Sequence, residues 1–199
     1  GRSFWSQAST TMLESPELIT NAAEAGCKAL FVGFESISQA QLEQLGKSFN
    51  LIEKYEELVK RLHDAGIAVI GSFMFGLDGD DEDVFKRTAE FAEEAQIDIG
   101  QFSILTPLPG TRLWDTMKAE DRIALHAFPD DWKYYTLTFP VAHYAQLSLD
   151  RSIDEMVRCG QQFYSVPKIL ARIWNNLWRW RSPFVTLVAN FSYRNNLKL

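Results

Sequence analysis

The sequence predicts an α/β fold with parallel strands, and three observations carry that expectation. Apolar runs at residues 28–34, 67–75 and 99–105 scarcely alternate with polar residues, the pattern of strands covered on both faces. Stretches of helical period separate them, each long enough for the right-handed crossover that joins parallel neighbours. Helix-stopping glycines, Gly26 and Gly66, stand just before two of the runs.

The first element is a short strand over 3–9 with the aromatic pair Phe4 and Trp5. Ser15 then reads as a helix cap with Pro16 at the first helical position, and Leu18, Ile19, Ala22, Ala23 and Ala25 as the apolar stripe. The strand over 28–34 ends on Glu35 and Ser36. Ser38 with Gln41 reads as a capping box for a short helix, and Asn50 with Glu53 as the opening of a longer one closing at Gly66. The run over 67–75 is the expected central strand. It breaks into Gly76, Gly79 and four carboxylates, Asp78, Asp80, Asp81 and Asp83, which favour the N-terminus of the next helix. Val84, Phe85, Thr88, Ala89, Phe91, Ala92 and Ala95 give that helix a buried face. After the strand over 99–105, a Pro/Gly turn leads to Thr111 as the cap of a short helix.

Beyond about residue 120 the pattern changes. Residues 128–139, with Trp132, Tyr134 and Tyr135, read as an irregular aromatic segment folded over one end of the sheet. From Leu147 onward the period is helical, through Ile153, Met156 and Val157, then Ile169, Leu170, Ile173, Trp174 and Leu177, then Phe184, Leu187, Val188 and Phe191. The domains expected are 1–119 for the βα repeats, 120–146 for the aromatic segment and 147–199 for a helical extension.

At 199 residues and 46% hydrophobic, the chain can bury a proper core. Its net charge of −6 steers polyanions away, so nucleic acid is not an expected partner. The tail differs: from Val166 onward there are six basic residues and no acidic one. Such helices, with tryptophan and phenylalanine on one side and arginine on the other, either pack the aromatic stripe on the barrel or lie at an anionic membrane surface. No apolar run approaches the roughly 20 residues needed to cross a bilayer. The expected setting is cytoplasmic, with peripheral contact at the inner membrane face as the alternative.

Glu35 is the sharpest single candidate, because a carboxylate at the end of a buried parallel strand can accept from both hydroxyls of a ribose. The plainer alternative is a carboxylate that caps a helix or pairs with a lysine. The cluster from Asp78 to Asp83 offers hard oxygens to a divalent cation, although helix N-terminal contacts are the commoner meaning. Cys27 and Cys159 fit no metal spacing, and neither do His63, His126 and His143.

Three stretches carry a family resemblance: Phe31-Val32-Gly33-Phe34-Glu35-Ser36-Ile37-Ser38, Gly71-Ser72-Phe73-Met74-Phe75-Gly76-Leu77-Asp78 and Leu105-Thr106-Pro107-Leu108-Pro109-Gly110-Thr111. In this order they resemble the C-terminal half of a radical S-adenosylmethionine (SAM) enzyme of the type linked to a cobalamin-binding domain. The resemblance implies a partial (β/α)6 TIM-like barrel, of which these strands are the third to sixth. It places Glu35 and Ser36 at the ribose hydroxyls and Lys47 at the methionine carboxylate. Phe73, Met74 and Gly76, with Leu105, Thr106 and Pro107, fall at the adenine, and Gln7 ends the third strand facing the same cavity. The family's [4Fe–4S] cluster is held by a three-cysteine loop that this sequence lacks, so its ligands are expected in a preceding half of the protein. A cobalamin would belong to a separate upstream domain.

The resemblance thus implies the SAM-binding side of a radical enzyme, inactive as this chain alone, acting in methyl transfer or another radical modification of an unidentified small-molecule or lipid substrate. Two other classes remain open at this point: a non-catalytic βα interaction module with a basic amphipathic tail, and a metal-assisted hydrolase built on the aspartate cluster.

Overall fold

A computed structural model describes residues 2–178 and 183–196. Four parallel strands, β1 (Phe4–Ala8), β2 (Cys27–Glu35), β3 (Ala68–Phe75) and β4 (Ile99–Ile104), form one sheet in sequence order. Helices α1 (Pro16–Glu24), α2 (Gln39–Gln44), α3 (Tyr55–Asp64) and α4 (Val84–Glu94) make the crossovers, and α5 (Arg112–Ala119) follows β4. The predicted α/β architecture is therefore the observed one.

β3 departs from the expectation in one respect. Its residues alternate between fully buried and half-buried, so helices cover only one face. Val69, Gly71, Phe73 and Phe75 point into the helix layer, where Phe73 stacks between Phe34 and Phe102. Ile70, Ser72 and Met74 point the other way, beside Phe31 and Gly33 of β2 and Gln101 and Ser103 of β4. That second face would be the interior of a barrel. Its residues are apolar or small, which erases the polar alternation from which exposure is usually read.

Several local expectations change. Ser15 and Ser38 occupy cap positions, yet neither side chain bonds the helix, and Gln41 is buried instead of closing a capping box. Asn50 is not a cap at all: a 3₁₀ turn (Ile52–Lys54) precedes α3, and Asn50 lies almost wholly buried beneath the end of β2. Thr111 does cap α5, accepting from Trp114 N–H at 3.2 Å.

The aspartates after β3 disperse. Asp78 pairs with Arg122, Asp81 with Arg87, and the buried Asp80 accepts from Leu77 N–H at 3.0 Å. Burial pushes the Asp80 carboxyl up to about 6. Among the described residues no group of side chains has the arrangement of a metal site.

The aromatic segment lies against the C-terminal ends of β3 and β4. Leu137 C=O accepts Ile104 N–H at 2.8 Å, Tyr144 OH donates to Leu105 C=O at 2.9 Å, and the Tyr144 ring closes on Gly76. Helices α6 (Leu149–Phe163), α7 (Val166–Trp178) and α8 (Pro183–Asn196) complete the chain.

The tail contradicts the expected placement of its faces. Arg172 is only 9% exposed, whereas Trp174 is 68% exposed, in line with Leu170 and Leu177 along α7. A buried polar cluster is the cause. Asp98, just before β4, accepts from Val69 N–H (2.7 Å) and Asn176 (2.8 Å) and meets His63 Nε2 at 2.8 Å, while Asn190 donates to its main-chain carbonyl. Burial alone would raise the Asp98 carboxyl, but the His63 contact and these donors hold it below its usual range. Arg172 in turn donates to Asn190 and Phe163 C=O and lies over the Phe163 ring. The expected stripe therefore divides: Ile169 is buried in the core with Ile173 and Phe191 packed against it, polar residues of α7 and α8 turn inward beside them, and Leu170, Trp174 and Leu177 are left outside. No described helix is long and apolar enough to cross a membrane. The expected helix extents to 180 and 199 run onto residues outside those described.

Candidate functional site

The C-terminal ends of four parallel strands converge at one end of the sheet, the usual place for a ligand in such architectures. At the end of β2 the register slips between Gly33 and Glu35, and Glu35 adopts φ 67°, a left-handed conformation rare for a side chain of its size. Its carboxylate folds back over Gly33, where a Cβ would stand 2.5 Å from Glu35 Oε1. Glycine at 33 is therefore a requirement of the carboxylate's position.

What holds this conformation comes mostly from Asn50. Its Nδ2 donates to Gly33 C=O (3.0 Å) and Phe34 C=O (3.2 Å), and its Oδ1 accepts from Thr10 OH. Tyr55 OH adds a 2.7 Å bond to Phe34 C=O. Phe34 C=O also accepts Ser36 N–H at 2.9 Å, so main chain and buried side chains together satisfy the carbonyls at the slipped register. Sequence reading missed Asn50 and Tyr55 as site supports. An asparagine ahead of a helix is read as its cap, and only the fold shows that it lies under β2.

Lys47, beyond the left-handed Gly46 that ends α2, forms an ion pair with Glu35. Glu35 keeps 17% of its side chain exposed and Lys47 39%, so the pair lies at a surface open to a ligand. Ser36 is buried and accepts from Ser38 N–H at 3.1 Å, which shapes the loop and leaves its hydroxyl turned from solvent.

The remaining predicted residues divide. Met74 is half-buried on the inner face, one residue beyond the partner of Glu35, and Gln7 is exposed on β1 opposite Phe31 of that face. Gly76 is left-handed and covered by Tyr144. Leu105 keeps a half-buried side chain, but its N–H is bonded to Phe75 C=O and its C=O to Tyr144. Thr106 and Pro107 are buried, with Thr106 OH bonded to Ile104 C=O. Phe73 requires a correction: its ring belongs to the helix-side core, so it stiffens β3 and lines no inner surface. The strand ends thus bring a carboxylate at Glu35, an ammonium at Lys47 and an apolar side chain at Met74 to one end of the sheet.

A [4Fe–4S] cluster does not fit the residues present. Cys27 opens β2 at the end opposite Glu35, Cys159 lies in α6, and burial pushes both thiols up, against the thiolate a cluster needs.

Residues 4–92 match the model of the Radical SAM superfamily. Over 86% of its length it is 30% identical to the bacteriochlorophyllide d C-12(1)-methyltransferase of Chlorobaculum tepidum, covering 36% of that protein. It is 29% identical over 83% of its length to the hopanoid C-2 methylase of Rhodopseudomonas palustris, covering 30% of it. The chain thus spans about a third of the length of these curated relatives. The fold is shared with the radical S-adenosylmethionine methyltransferase TsrM of Kitasatospora setae, solved with cobalamin and a [4Fe-4S] cluster. That likeness has a TM-score of 0.54 at 18% identity, over 94% of this chain and 36% of the other.

Proposed function

We propose that this chain supplies the ribose-, carboxylate- and adenine-binding side of the S-adenosylmethionine site of a radical SAM enzyme, with methyl transfer as the reaction. The observation that carries the reading is Glu35, held left-handed over Gly33 beside Lys47, at the open inner end of the sheet. The Glu35 carboxylate accepts from the two ribose hydroxyls, and the Lys47 ammonium turns from Glu35 to the methionine carboxylate, a charge-assisted contact. Met74 and the Leu105 side chain take the adenine. In this class bound S-adenosylmethionine supplies the reactive chemistry, and the protein supplies position.

Methyl transfer is favoured by the relatives, which are named as a methyltransferase and a methylase. Cluster ligands, and any cobalamin, belong in this reading to a partner segment outside these 199 residues. Calorimetric titration with S-adenosylmethionine tests the assignment: Glu35→Gln and Lys47→Ala are each expected to weaken binding at least tenfold, and unchanged affinity in both overturns it.

The tail adds a contact with an anionic lipid surface. The exposed row of Leu170, Trp174 and Leu177 supplies the apolar face, and residues 166–199 carry no acidic residue, although of the six basic ones Arg172 is buried, Lys168 pairs with Glu93 and Arg194 donates to Tyr164 C=O. Each basic residue near such a surface contributes about 1 kcal/mol. Flotation with vesicles of phosphatidylglycerol and phosphatidylcholine is expected to carry the protein upward, Trp174→Glu much less so. Equal flotation of the two removes α7 from the contact.

A further inference from the structure

β4 is the last strand of the sheet, so its outer row of main-chain groups has no neighbouring strand. Leu105 N–H bonds Phe75 C=O at 2.7 Å, and alternation along the strand then turns the N–H and C=O groups of Gly100, Phe102 and Ile104 outward. The two flanking positions are filled. Tyr164 OH accepts from Gly100 N–H at 3.1 Å and donates to Gly100 C=O at 2.7 Å. Ile104 N–H bonds Leu137 C=O, and Ile104 C=O accepts from Thr106 OH. Between them, Phe102 N–H and C=O meet no partner among the described residues.

They face a cleft whose rim, at Thr136, Thr138 and Asn196, is exposed. A cavity of about 620 Å³ lies against this edge, walled by Tyr134 and Phe139 of the aromatic segment, Met156 and Val157 of α6, and Tyr193 of α8. The polar tip of Tyr193 is already committed to Gln101 Oε1 at 2.6 Å, so its ring presents carbon to the space. A main-chain donor and acceptor side by side on an aromatic wall call for a ligand offering the complementary pair on one flat edge. The volume is that of an ordinary small-molecule site.

We propose that this cavity binds a planar heteroaromatic ring in which a nitrogen acceptor adjoins an N–H donor. The ring nitrogen accepts from Phe102 N–H, the ring N–H donates to Phe102 C=O, and the ring body packs among Tyr134, Phe139 and Tyr193. The assignment is independent of the reading of Glu35.

7-Azaindole and indole differ by that one ring nitrogen and serve as the probes, followed by NMR of the ¹⁵N-labelled protein. 7-Azaindole is expected to move the Phe102 amide resonance downfield and to bind at least tenfold more tightly than indole. Thr138→Trp, at the exposed rim, should weaken it at least tenfold while leaving the rest of the amide spectrum in place. Tyr134→Ala provides a second variant that removes a wall. Equal binding of the two probes, or a Phe102 amide that stays unmoved, overturns the proposal. So does slow hydrogen exchange of that amide in the free protein, because it would show the edge already paired by another segment or copy.

Discussion

Glu35 concentrates the local conflict of this protein, since a bulky residue sits where the backbone favours glycine. Without its carboxylate the conformation has only its cost. Glu35→Gly is accordingly expected to be about 1 kcal/mol more stable than Glu35→Ala, measured by urea unfolding, while both lose S-adenosylmethionine binding. Identical stability would show that the left-handed turn is not strained. Asn50 is the second sensitive residue. Asn50→Ala removes the side-chain donor to the Gly33 carbonyl and leaves the buried Thr10 hydroxyl without its acceptor, while Phe34 C=O keeps Tyr55 OH, and it should destabilise by about 1–3 kcal/mol, with a weakening of ligand binding that follows from the loosened end of β2. Glu35 was visible in the sequence because it follows an apolar strand. Asn50 was not, because its partners lie 16 and 17 residues away and nothing local distinguishes it from a cap.

Among the elements, the loop after β3 carries a measurable electrostatic signature. Asp80 is nearly fully buried, and burial raises its carboxyl from 3.8 to about 6. A raised group stabilises fully below its unfolded value, and that contribution is lost as pH rises through the folded one. The shift corresponds to about 3 kcal/mol. The wild-type protein should therefore lose stability relative to Asp80→Asn as pH rises from about 4 to about 6, in urea unfolding at fixed ionic strength. A constant difference across that window contradicts the burial of a charge-bearing Asp80. The strands and the first helices were legible, because their apolar runs and stripes each had one meaning. The tail helices were legible as helices but not in orientation. Ile169 and Ile173 of the stripe do face the core, yet Asp98 and His63 place polar groups beneath α7 and α8, Arg172, Asn176 and Asn190 turn inward to meet them, and Leu170, Trp174 and Leu177 stay outside.

For the whole molecule, the one-sided cover of the sheet joins fold to function. Helices bury one face, and the other, with Met74, Ser72 and Gln101, stays open toward the end where Glu35 and Lys47 stand. Parallel order could be read from the sequence. The open face could not, because a barrel interior and a helix-covered face draw on the same apolar and small residues. The most direct test of the central claim maps S-adenosylmethionine onto the protein by NMR, using amide and methyl resonances assigned across all four strands. Perturbations are expected to cluster at Gln7, Glu35, Ser36, Lys47, Met74 and Leu105 and to vanish in Glu35→Gln. Perturbations centred at the opposite ends of the strands, around Cys27, Ala68 and Asp98, or an unchanged map in Glu35→Gln, would contradict the account.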